Sequence, residues 1–152
     1  MGYDIYWHRK KETIPDLDTG KSKVEPYYKW DDKIIIEARN LHSNNGYLEI
    51  YKKPFTYEKT GLNITSNLSS MFSWAINDNI KQSWKYSIHG LKGHKVVPIL
   101  RKAIKKMEKY PDIAKQYNSE NGWGVYEDAL QFLKDLLAES MIYKNAYLCI
   151  SY

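Results

Sequence analysis

The sequence predicts an α+β fold: an antiparallel sheet of about four strands with three or more helices packed on one face. Three observations carry this. Alternating runs of strand-forming residues gather in the first third of the chain and return once at its end. Helical periodicities fill the stretch between them. Asn45-Gly46, set between two apolar runs, is a strong hairpin signal because both residues tolerate positive φ.

Taken in order, "YDIYWH" alternates and predicts a strand over Tyr3 to His8. The polar stretch that follows is broken by Pro15 and Gly20 and reads as a loop. "KIIIEAR", Lys33 to Arg39, and "YLEIYK", Tyr47 to Lys52, predict the two strands of the hairpin. Pro54 to Thr60 reads as loop or edge. Next, Ser66 or Asn67 is placed to cap a helix that carries Leu68, Met71, Phe72 and Ala75 on one face. A short helix is expected around Ile80 to Tyr86.

The clearest helical stripe is Val96, Val97, Leu100, Ala103, Ile104 and Met107, with Lys102, Lys105, Lys106 and Lys109 mainly off it. Pro98 fits best in the first turn, where its missing N–H costs nothing. The stripe stops at Tyr110-Pro111, since a residue before proline is pushed out of the helical region. A short helix can begin at Pro111, and a last one runs from Val125 to Glu139. "NAYLCISY" closes the chain as a strand, expected beside the first strand or the hairpin.

The 152 residues fit one domain, 1–152, and can bury a core without staples. The single Cys149 allows no internal disulfide framework, and its alternating apolar surroundings suit a small buried hydrophobe. No apolar run approaches the roughly 20 residues needed to span a bilayer, and no signal segment begins the chain, so a cytoplasmic protein without a membrane partner is expected. A net charge of +5 is compatible with an anionic partner without requiring one. The 14 Tyr and 5 Trp supply rigid rings with polar tips, suited to a core or to a recognition surface.

Dinucleotide, P-loop, zinc-protease and nucleophile-elbow motifs do not occur, so no cofactor or metal is predicted. His89 and His94 flank the "HGLKGH" loop, which could bind phosphate or, with a third ligand, a metal; the plainer reading is two loop histidines. Glu127 and Asp128 suit the first turn of the last helix by complementing its dipole. The lysines between Lys95 and Lys109 raise nucleic acid as a partner, but no base-stacking or DNA-reading pattern accompanies them, so it ranks low.

Two helix starts remain. "NITSN" concentrates amides and hydroxyls at Asn63, Thr65 and Asn67, suited to an anion or a nucleobase edge, or simply to capping their own turn. "NGWG" holds Trp123 between glycines after Asn121, where the ring either stacks on a flat ligand or plugs the core at a tight corner. On residues Asn63, Thr65, Asn67, Leu68, Met71, Pro98, Asn121, Gly122, Trp123, Gly124 and Tyr126, the chain resembles a family of small, largely uncharacterised bacterial and phage proteins. That family shares N-x-T-x-N-L-x-x-M and N-G-W-G-x-Y. The likeness covers about the last 90 residues and includes the opening "MGYDIYW" but not the loop from Lys10 to Lys29. Related chains often carry a proline where this one has Ser119. The resemblance implies a prokaryotic or viral origin and pairs the two segments; it implies no reaction.

The functional expectation is a non-enzymatic binding protein for a small polar, nucleotide-derived ligand, in a phage a trap for a host immune signal. Trp123 or Tyr126 would stack; Asn63, Thr65, Asn67 and Asn121 would make polar contacts; Lys92 or Lys95 would neutralise charge. Two alternatives stand beside it. One is a protein-interaction module using the Tyr/Trp-rich surface, with a host protein or a second copy of the chain as partner. The other is a small nucleotide hydrolase using His89 or His94.

Overall fold

The computed structural model describes residues 2–9 and 57–151, and between them positions 11, 14, 16–18, 41 and 43; for 57–61 it describes only the backbone. The elements are β1 (Gly2–His8), β2 (Tyr57–Thr65), a 3-10 turn (Ser66–Leu68), α1 (Ser69–Asn77), α2 (Trp84–Ile88), α3 (Gly93–Lys109), α4 (Pro111–Lys115), α5 (Tyr126–Ile142) and β3 (Tyr147–Ser151). The fold is α+β, with a three-stranded antiparallel sheet in the order β2-β1-β3 among the described residues. The strands expected over Lys33 to Arg39 and Tyr47 to Lys52 lie outside those residues.

β1 is the central strand because its alternation gives it one wholly apolar face. Tyr3, Ile5 and Trp7 are buried on that face, in register with Ile64, Ile150 and Leu148 of the neighbouring strands. The chain's last strand thus pairs with its first. The outer edge of β3 is covered by the connection after α2: Gly90 N–H donates to Leu148 O at 2.8 Å and Leu148 N–H to Leu91 O at 2.9 Å. Such pairing blunts an edge that would otherwise recruit other strands.

α5 is the central helix. It is buried along most of its length, including Asp135 and Glu139, and α3 packs antiparallel against it. Glu139 is fully buried and accepts the Trp7 indole N–H at 3.0 Å, tying α5 to β1. Tyr143 stacks on Trp7 with ring centroids 5.2 Å apart, and Phe72, Trp84 and Phe132 fill the space under α1 and α2.

Several expectations change at their edges. Of the two readings for Pro54 to Thr60, loop or edge, the edge holds from Tyr57: β2 is an outer strand among the described residues and runs on to Thr65, so Asn63 and Thr65 belong to the sheet. The short helix around Ile80 to Tyr86 starts later, at Trp84, whose N–H is received by the Ser73 hydroxyl at 3.1 Å. α3 begins at Gly93, which puts Pro98 in the second turn rather than the first. The carbonyl of His94 then lacks its helical N–H donor, which proline does not supply. α5 continues past Glu139 to Ile142 because Glu139 is satisfied from β1 and does not need solvent.

Candidate functional site

The two helix starts singled out in the sequence meet. Thr65 ends β2 in an extended conformation, and its hydroxyl accepts the Asn67 N–H at 3.3 Å, the side-chain cap that Ser/Thr commonly supply. Thr65 thus caps the 3-10 turn, and α1 itself starts after Leu68 with no side-chain cap, so neither Ser66 nor Asn67 caps the helix. Asn67 is left to reach outward, and its side-chain amide donates to Trp123 O at 3.0 Å. Gly124 lies directly over this turn at φ +117, where an added Cβ would sit 2.9 Å from the Thr65 methyl and 3.0 Å from Leu68 Cγ. Only glycine allows both that backbone geometry and that approach.

The loop between α4 and α5 is closed on itself. Ser119 N–H donates to Gly124 O at 3.0 Å, and Gly122 N–H to Ser119 O at 3.2 Å. The Asn121 side-chain oxygen receives the Trp123 N–H at 2.9 Å and the Ser119 hydroxyl. Asn118, which sequence reasoning passed over, receives the Tyr126 N–H at 2.8 Å and so caps α5 from outside its own cap position. An Asx side chain ahead of a glycine turn was the available signal.

Within this clamped loop the Trp123 ring is 75 % exposed. It is not a plug. Tyr126 is half-buried instead, its hydroxyl donating to Met107 O at 3.0 Å and its ring lying under Lys115 Nζ at 5.4 Å. Burial, then Glu108, then Glu127 raise the Tyr126 pKa, which keeps the phenol in its donor form. Glu127 and Asp128 hold the first turn of α5, so the negative charge expected there is the chain's own.

The remaining predicted residues stand elsewhere. Asn63 is exposed on β2, in register with Asp4. Lys92 and Lys95 are at the start of α3, which packs at the far end of α5. There Gly93 N–H donates to Ala146 O and His94 N–H to Lys144 O, each at 2.9 Å. At about 1.5 Å per residue along α5, that end lies roughly 20 Å or more from Gly124. Lys92 Nζ instead sits 5.6 Å over the Tyr147 ring. Among the described residues, the cation that meets Tyr126 at the corner is Lys115.

The histidines part as well. His89 Nδ1 accepts the Ile150 N–H at 3.0 Å, fixing the β3 edge, and His94 is exposed on α3. Among the described residues no group of three or more His, Cys, Asp or Glu side chains is placed to hold a metal ion. Cys149 is buried, and burial pushes its thiol up to about 12. No helix among them is long and apolar enough to cross a membrane. Comparison with protein families, curated proteins and solved structures finds no match for the chain.

Proposed function

We propose that the chain is a binding protein whose Trp123 stacks on a small planar, anionic ligand of nucleotide type. The observation that carries this is the exposed ring on an immobilised loop: Trp123 is 75 % exposed while the backbone on both sides of it is held by Asn67, Asn121 and Ser119. A large ring held open to water forgoes burial that would stabilise the free protein. A clamped loop also loses little further freedom when a partner arrives. Glu127 and Asp128 repel an anionic group from the α5 side, so the ligand's charge lies toward Lys115. In a phage, such a protein would sequester a host immune nucleotide.

Base–aromatic stacking contributes about 1–3 kcal/mol. Trp123→Ala should therefore weaken binding about 5- to 150-fold in calorimetry against a panel of mono-, di- and cyclic nucleotides. No heat with any member, or equal affinity in the variant, would sink the proposal. Denaturing the complex and recovering intact ligand separates a trap from a hydrolase, which returns product.

A second reading has its own support. Tyr110 and Ile113 are also exposed, and with Trp123 they place three large apolar side chains in the connection between α3 and α5. Aromatic anchors of this kind dominate protein interfaces. A stable complex with a host protein that is lost in Trp123→Ala, with no nucleotide heat, selects that reading.

A further inference from the structure

The net positive charge of the chain is concentrated in one place. Residues 93–115 hold seven of the 23 Lys and Arg and two of the 18 Asp and Glu, a surplus equal to the whole formal charge of +5. Elsewhere the charges cancel.

The structure also sorts these charges by direction. At about 100° per residue, Lys95, Lys102, Lys105 and Lys109 fall within a sector of about 80° on α3, together with Pro98. All five are exposed. The buried stripe of Val96, Leu100, Ala103, Ile104 and Met107 occupies the opposite side. Arg101, also exposed, borders this sector, while two other flanking charges are diverted. Lys106 turns toward α1, pairing with Asp78 and donating to Trp74 O at 2.7 Å. Glu108, the one carboxylate in α3, turns toward α5 and faces Lys134 at 3.9 Å. What remains outward is a cationic line about 21 Å long, with no carboxylate in it.

We propose that this face of α3 docks the phosphate backbone of a nucleic acid without reading its sequence. The choice among polyanions rests on what the face lacks. No exposed large apolar residue lies within the lysine row itself, and Tyr110, exposed just past its end, sits under Lys109 Nζ at 5.4 Å, so the row has nothing to insert into a bilayer as interfacial helices do. Nor does it offer the aromatic or aliphatic anchor around which protein interfaces form. A row of lysines alone suits regularly spaced phosphates, where affinity comes from counterion release. The sequence ranked nucleic acid low for want of a base-stacking or DNA-reading pattern, which a backbone-only contact does not need. This surface is independent of the Trp123 corner.

The test is fluorescence anisotropy with a labelled 20-base-pair duplex and a single strand of equal length. Four phosphate contacts predict roughly a hundredfold loss of duplex affinity between about 50 and 200 mM salt. Lys102→Glu/Lys105→Glu should cost at least tenfold and roughly halve the salt slope, with circular dichroism unchanged because both side chains are exposed. Lys11→Glu/Lys81→Glu, an equal change of charge elsewhere, should cost far less. Binding of either oligonucleotide with this pattern supports the proposal, and the preferred form identifies the strandedness. The proposal is overturned if neither oligonucleotide binds, if polyglutamate competes as well as unlabelled duplex, if phosphatidylserine vesicles capture the protein while oligonucleotides do not, or if the two double variants behave alike.

Discussion

Gly124 and Gly122 stand two residues apart and do different jobs. Gly122 takes φ +75 in open space, with nothing within 4 Å of an added Cβ. Alanine there carries only the backbone cost of a left-handed residue, about 1–2 kcal/mol. At Gly124, φ is +117 and the Cβ would press on Thr65 and Leu68, which flank Asn67, the donor to Trp123 O. Overpacking adds its own cost. Gly124→Ala should therefore lose about 3 kcal/mol in urea unfolding, clearly more than Gly122→Ala. It should also loosen the Trp123 corner, weakening any ligand that stacks there. Equal losses in the two variants would show that the contact between the two helix starts contributes little.

At the scale of elements, the α3–α5 contact depends on Gly93. An added Cβ there would run into the backbone oxygens of Ser140 and Tyr143, and neither can yield without moving α5. Gly93→Ala should cost about 3 kcal/mol, at the top of the overpacking range, whereas His94→Ala on the exposed side should stay within about 0.5 kcal/mol. Thermal or urea unfolding of the two variants checks this, and similar midpoints would contradict the close approach. The contrast shows what was legible. The α3 stripe and the apolar face of α1 were readable because a helical period repeats over several turns within one segment. β1 and β3 were readable as strands from alternation alone. Element ends were not, because they depend on partners distant in sequence: Ser73 starts α2, the Trp7 indole keeps Glu139 inside α5, and Thr65 ends β2 against Gly124. For the same reason the corner was readable as two polar, glycine-bearing segments, while its assembly was not. Nothing local distinguishes Lys92 and Lys95, about a helix length away, from Lys115, which meets Tyr126.

At the scale of the molecule, the sheet's response to acid turns on His8. It is buried at the end of the central strand, in register with Tyr57 of β2 and Tyr147 of β3, so a change there reaches both neighbours. Burial first, and then the nearby His89, lower its pKa from 6.5 to about 4. Above pH 6.5 the imidazole is neutral in folded and unfolded chains alike, and the fold keeps its full stability. Between pH 6.5 and 4 the unfolded chain takes up a proton that the folded chain refuses, so stability falls across that window and levels off below it. The thermal midpoint should therefore decline as pH drops from about 6.5 toward 4, before most carboxylates titrate. His8→Gln, which cannot take up that proton, should flatten part of this decline. A midpoint that holds steady down to pH 4, or an unchanged slope in His8→Gln, would mean that β1 does not hold His8 neutral.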